Sequence, residues 1–279
     1  VKRLYLLTLK GKAVEKSGNM TQTEKRIFLI KKLLAEQPQY RDMEIPQRPL
    51  EQKRLLRSLM NIRSPKSIGK DFLKVQDEYL QAEIRLKGIT NLSELLPVAD
   101  DIYLWQGDIT TLKCDAIVNA ANSGMTGCYY PCHSCIDNAI HTFAGVQLRN
   151  ECAEIIKKQG YSEPTGKAEI TKAYNLPCNF VLHTVGPIVK GRLSKLDMEL
   201  LASCYLSCLR LADENKIRSI AFCCISTGEF QFPNEKAALT AVQTVKQYKT
   251  ETQSRIKVIF NVFKDIDYKI YRKLLSADK

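Results

Sequence analysis

Between Gly127 and His141 the chain reads GCYYPCHSCIDNAIH, which holds three of its ten cysteines and two of its three histidines. Thiolate sulfur and imidazole nitrogen are donors that zinc favours. Cys128, His133 and Cys135 follow one another at spacings of five and two, close enough for one loop to wrap a tetrahedral ion. Three protein ligands leave one coordination position open for chemistry, whereas adding Cys132 closes a structural Cys3His site. Chain neighbours such as Cys132 and His133 rarely both reach one ion from a tight loop, which favours the open set. On residue types alone, zinc coordination and a cluster of buried thiols remain equal readings.

Two further loops carry polar groups directly after apolar runs. Asp108 follows Gly107, where its carboxylate either caps a turn or accepts from an exocyclic amine. Asn119 and Asn122 bracket two alanines beyond AIV. The small residues let a ligand approach the backbone, and each amide offers both donor and acceptor. In ISTGEFQFP, Ser226, Thr227 and Gly228 shield their backbone N–H groups little, and such a nest suits a diphosphate without any lysine. Phe230 and Phe232 either wall a ribose or lie on the core. STG is common in turns, so this loop is a weak signal when taken alone.

These loops need rigid elements behind them. From about Asp100, short β-branched runs (DIYLWQ, DAIVNAA, KAEITKAY, NFVLHTV, SIAFCCIS, RIKVIFNVF) alternate with amphipathic stretches. Helices are expected at about Asn138–Gln159, Asp197–Asn215, Asn234–Tyr248 and Tyr268–Leu275. The alternation predicts an α/β sandwich with a mostly parallel central sheet covered on both faces. Ligands of such folds sit at the carboxyl ends of strands, where the polar loops are. Ahead of this region, TQTEKRIFLIKKLLAEQ begins with a Thr cap and has helical spacing. Arg48–Arg63 and Gly69–Gly88 are also expected to be helical, with prolines at 46, 49 and 65 as punctuation. Residues 1–19 differ in texture and are expected to be a disordered or non-native leader, Met20 being the natural start. Residues 20–99 then form a helical extension and 100–279 the α/β domain.

The net charge of +12 is uneven: residues 1–99 carry 20 Lys/Arg against 11 Asp/Glu, and residues 100–279 carry 22 against 19. Without nucleic-acid motifs or interleaved aromatics, the basic extension is read as a solvated helical surface, and no nucleic acid is expected. No apolar run approaches the roughly 18 residues that span a bilayer. The opening VKRLYLLTLKGKAVEK has no small-residue cleavage site, which argues against export. Cysteines inside apolar patterns suit a cytoplasmic chain without disulfides.

GDIT, AIVNAANS, IDNAIH, TGKAEIT, VLHTVGP and ISTGEFQFP occur in this order, and together they resemble the macrodomain family, whose members bind ADP-ribose. GCYYPCHSCIDNAIH is similar to the corresponding segment of microbial zinc-containing macrodomains, which hydrolyse ADP-ribose from modified proteins. The MacroD-type branch has a glycine-rich loop and Val-Asp-Gly there, and Asp137 keeps the acidic residue. The resemblance spans about residues 50–275 and implies a three-layer α/β/α sandwich with a mixed central sheet behind a helical extension. It implies that Asp108 holds the adenine amine, with Ile109 beside the ring. Ser226, Thr227, Gly228 and Glu229 would cradle the diphosphate, with Phe230 at the distal ribose. Asn119 and Asn122 would frame that ribose. Cys128, His133 and Cys135 would hold one zinc per chain, leaving Cys132 aside. His141 and His183 are read as packed, hydrogen-bonded residues. The implied reaction is zinc-dependent hydrolysis at C1 of the distal ribose of a mono-ADP-ribosylated protein, with Asn122 and Asp137 as catalytic residues, by a chain acting as a monomer away from membranes. The competing expectation is a non-catalytic ADP-ribose reader stiffened by zinc. A structural zinc protein acting through its basic helices leaves the diphosphate and asparagine loops unexplained.

Overall fold

Thr21 and Glu24 cap each other at the start of α1 (Gln22–Ala35). The Thr21 hydroxyl accepts from the Glu24 N–H at 3.2 Å, and Glu24 Oε2 accepts from the Thr21 N–H at 2.7 Å. The computed structural model describes residues 20–40 and 42–276, so the leader expected at residues 1–19 lies outside the described residues. α2 (Pro49–Ile62) opens on a proline, whose missing N–H costs nothing in a first turn. α3 (Lys70–Lys87) ends at Gly88, which takes a φ of 90°. The apolar stripes of the three helices bury Leu29, Ile30, Leu33, Leu59, Phe72 and Leu80 in one cluster with Val146.

The chain continues through β1 (Thr90–Asn91), β2 (Pro97–Ala99), β3 (Ile102–Gln106), β4 (Leu112–Lys113) and β5 (Ala116–Ala121). Then come α4 (Ile136–Ala144), α5 (Val146–Gln159), β6 (Ala168–Lys172), β7 (Phe180–Val185) and α6 (Lys195–Glu214). β8 (Ser219–Phe222), α7 (Asn234–Thr252), β9 (Lys257–Val262) and α8 (Asp265–Ser276) complete it. Seven strands form one mixed sheet in the order β2-β3-β9-β8-β5-β7-β6. β3, β9, β8, β5 and β7 run parallel, and β2 and β6 are antiparallel edges. α6, α7 and α8 pack together on one side, α4 and α5 lie against β5 and β6, and the result is the expected α/β/α sandwich. Ile117, Val118, Val181, Ile220, Val258 and Ile259 have no exposed surface, as strands covered on both faces require.

The structure departs from the sequence expectations in three places. The single helix expected at Asn138–Gln159 is two, α4 and α5, broken at Gly145 with a φ of 98°. A Cβ there would stand 2.6 Å from Gln76 Nε2, so the break is built for glycine. SIAFCCIS yields only four strand residues, because the chain leaves the sheet at Cys223 to form the following loop. Residues 90–99, grouped with the extension from the sequence, supply β1 and β2, and β2 edges the large sheet. The extension is joined to the sandwich by Arg149 of α5. Its Nη1 donates to the carbonyls of Met60, Asn61 and Arg63 at 3.2, 2.6 and 2.6 Å, satisfying the end of α2.

Candidate active site

The loop from Cys128 to Cys135 lies between β5 and α4. The donor atoms of Cys128, His133 and Cys135 all lie within 4.8 Å of one another, and all three side chains are half-buried. Zinc bonds of about 2.1–2.3 Å in a tetrahedron set ligand atoms about 3.5–3.8 Å apart, so a small closure of side chains is enough and the donor set fits zinc. Burial, opposed by the Asn138 N–H, pushes the Cys135 thiol up to about 12. Without a cation this thiol keeps its proton at neutral pH. Cys132 is turned away: its backbone is left-handed at φ 53°, and its Sγ lies 3.2 Å from Ser58 Oγ and 3.4 Å from the Arg54 carbonyl. His133 Nε2 faces the opposite wall of the cleft, 3.5 Å from Glu229 Oε1.

Cys135 is also the N-cap of α4, and this places Asp137 in the helix's first turn, beneath the loop. Asp137 is only 5% exposed. Oδ1 accepts from Asn119 Nδ2 at 2.8 Å and Oδ2 from Asn122 Nδ2 at 3.3 Å. Burial raises its pKa to about 6 against the pull of these donors and of Arg149. Asn122 is half-buried: its Nδ2 also donates to the Gly127 carbonyl at 3.1 Å, and its Oδ1 accepts from the Gly124 N–H at 3.0 Å. Asn119 was expected to frame a ribose and does not reach the cleft. It has no exposed surface, because it lies within β5 facing α4; its Nδ2 is spent on Asp137 and His183, and its Oδ1 has no partner among the described residues.

His141, Cys152 and His183 form a second, fully buried group of metal-type donors. Hydrogen bonding argues against an ion there. Asn119 Nδ2 can only donate, so His183 Nδ1 accepts (3.2 Å) and the ring proton sits on Nε2, 2.9 Å from Thr171 Oγ1. Both nitrogens of His183 are then occupied, as expected of a packed histidine, and burial depresses its pKa to about 3. His141 is packed without being hydrogen-bonded. Neither ring nitrogen has a partner among the described residues, although Nε2 is 3.5 Å from Asp137 Oδ1.

The other walls come from neighbouring strands. After β3, Asp108 caps the following turn, with Oδ1 accepting from the Thr110 N–H at 3.0 Å and Oδ2 from Lys87 Nζ at 2.8 Å. Burial would raise this carboxyl, but Lys87 and Thr110 outweigh it and hold it below the usual range. The Ile109 side chain is in the core and offers the cleft only backbone. After β8, Ser226 adopts a φ of 64° and the loop closes through Phe232 N–H to Ser226 O at 2.9 Å. The N–H groups of Gly228, Glu229 and Phe230 have no acceptor among the described residues. Thr227 and Phe230 are half-buried, Gly228 and Glu229 are exposed, and Phe232 lies in the core.

Three contributors escaped the sequence reading. Phe263 is 76% exposed just beyond β9, beside Gly107, whose N–H donates to Val262 O at 3.0 Å. The aromatic ending RIKVIFNVF could have flagged it. Lys87 and Arg57 come from the extension, and nothing in their helical patterns sets them apart from other surface cations.

Comparison with known proteins identifies the family. Residues 118–241 match the family profile described as Macro domain. The chain is 60% identical over 261 residues to a protein from Treponema medium described as "Protein-ADP-ribose hydrolase", covering 92% of this chain and 100% of that one. The chain belongs to the macrodomain family. A Staphylococcus aureus (strain MRSA252) protein with the same description is 52% identical to this macrodomain chain over 226 residues, 80% of this chain and 85% of its own. The Trypanosoma brucei macrodomain solved in complex with ADP-ribose superposes with a TM-score of 0.60 at 30% identity, covering 82% of this chain and 97% of that chain. Among the described residues of this macrodomain, no helix is long and apolar enough to cross a membrane.

Proposed function

We propose that this protein is a zinc-dependent hydrolase that removes ADP-ribose from mono-ADP-ribosylated proteins, cleaving the bond at C1 of the distal ribose. The observation that carries this reading is the order of the strands. β3, β9, β8 and β5 stand side by side. Their carboxyl ends present, in the same order, Asp108, Phe263, the Ser226–Phe230 loop, and Asn122 with the cysteine–histidine loop. Adenine, diphosphate and distal ribose are linked in that order. The relatives described as protein-ADP-ribose hydrolases and the ADP-ribose complex of the trypanosomal macrodomain support the ADP-ribose part of this reading.

Phe263 gives the adenine a flat face and Asp108 accepts from its exocyclic amine. The N–H groups of Gly228, Glu229 and Phe230 donate to diphosphate oxygens in the manner of a backbone nest. Asn122 orients the distal ribose. As the bond to the acceptor side chain lengthens, positive charge builds at C1. The Asp137 carboxylate, held by two asparagine amides, stabilises that charge or takes the proton of the attacking water. The water oxygen becomes bonded to C1, and the acceptor oxygen leaves carrying a proton. Zinc, when bound by Cys128, His133 and Cys135, supplies Lewis acidity beside the ribose. All ten cysteines are unpaired thiols, which suits a reducing cytoplasm, and there we place the activity of a single chain.

The burial of Asp137 favours a second reading, an ADP-ribose reader that does not turn its ligand over. Replacing Asp137 by alanine separates the two. Hydrolysis through this carboxylate requires turnover to fall at least about a hundredfold. Affinity for free ADP-ribose should move by less than about threefold, since the product lacks the charge being stabilised. Zinc content is measured in parallel, because Asp137 sits two positions past Cys135. Normal turnover by zinc-replete Asp137→Ala would reject the mechanism, and an unaltered protein inert on several acceptor linkages would be a reader.

A further inference from the structure

We infer that Arg57, on α2 of the N-terminal extension, is a positioning residue for the ligand-bearing loop, setting the affinity of the zinc site without touching the ion. The inference rests on the zinc reading above.

The loop from Cys128 to Cys135 has little hold on itself. Within it the His133 N–H donates to Tyr130 O at 3.2 Å and the Cys135 N–H to His133 Nδ1 at 3.4 Å, and the further restraint comes from outside. Arg57 supplies that from the extension. Its Nη2 donates to the His133 carbonyl at 2.9 Å and to Asn138 Oδ1 at 2.7 Å, and its Nε reaches the same Oδ1 at 3.1 Å. Asn138, which has no exposed surface, passes the restraint on. Its Nδ2 donates to the carbonyls of Tyr130 and Cys128 at 3.0 and 3.4 Å, and its N–H points at Cys135 Sγ, 3.4 Å away. The Arg57–Asn138 pair therefore touches all three candidate ligand residues, two of them through backbone carbonyls.

The same helix holds the competing thiol aside. Asn61 Oδ1 accepts from the Cys132 N–H at 2.9 Å, next to the Ser58 contact with Cys132 Sγ. A planar guanidinium fork suits this task better than a lysine, whose single ammonium cannot span two acceptors in fixed directions. With the clamp in place the loop is ordered before metal arrives. Without it, ordering the loop is charged against binding.

The test uses the full chain carrying Arg57→Ala and, separately, Arg57→Lys. Zinc affinity is read by competition with a chromogenic chelator. Amide exchange across residues 128–138 is read on the metal-free protein. Arg57→Ala should weaken zinc about 10–100-fold, the range for residues that orient metal ligands. Exchange in residues 128–138 should rise about tenfold or more, with α1, α3 and the sheet unchanged. ADP-ribose affinity should stay within about threefold, because the adenine and diphosphate walls are untouched. Arg57→Lys should recover less than half of the loss on the logarithmic affinity scale. Unchanged zinc affinity, full recovery with lysine, or loosening spread evenly over the extension would overturn the inference. If the unaltered protein binds no zinc, the metal reading fails by itself. Loop exchange in the Arg57 variants then decides whether the clamp exists.

Discussion

Cys132 and His133 are chain neighbours with opposite fates. His133 points into the cleft towards Glu229, while the left-handed backbone of Cys132 sends its sulfur to α2. We therefore expect Cys128→Ser to reduce zinc from about one per chain to near zero and Cys132→Ser to leave it in place. Metal analysis of the two purified variants checks this, and zinc retained by the first but lost from the second would reassign the ligands. The spacing of these residues made the cluster visible in the sequence. The exclusion of Cys132 was argued there from crowding, whereas in the structure it comes from partners more than seventy residues away. Asn119 and Asn122 show the same limit. Both are amides near a strand end, yet Asn119 lies inside β5 with no exposed surface, whereas Asn122, just past the strand, is half-buried.

At the scale of elements, α4 and α5 are the instructive pair. Their combined sequence is periodic enough to read as one helix, and the break is decided by space around Gly145. The break lets α4 place Asp137 under the loop while α5 sends Arg149 to the end of α2. Gly145→Ala should destabilise the fold by about 1–3 kcal/mol, combining an unfavourable left-handed residue with a collision against Gln76. Denaturant titration gives the value directly, and a variant as stable as the parent would mean that the junction has room to relax. α1, α2 and α3 were legible nearly to the residue. Their signals are local: a capping box, a proline in the first turn and a glycine stop.

For the whole molecule, one cleft is assembled from two kinds of support. The walls proposed for adenine and diphosphate rise from neighbouring parallel strands, whereas the cysteine–histidine loop leans on the extension through Arg57 and Asn61. Removing zinc with a chelator should therefore stop turnover while leaving ADP-ribose affinity within about threefold. Calorimetry and product release on the same sample test this. Loss of both together would show that the metal braces the entire cleft.

The sequence by itself determined the alternation of elements, the α/β sandwich with a mostly parallel sheet and the loops that carry the polar groups. Hydrophobic period, caps and motif order are properties of neighbouring residues and survive without a fold. Tertiary structure alone decided which polar groups meet. Asp137 finds Asn119 across 18 positions, and Arg57 finds Asn138 across 81. Those distances along the chain close only when β5, α4 and α2 pack, and no local pattern encodes the partner at the far end.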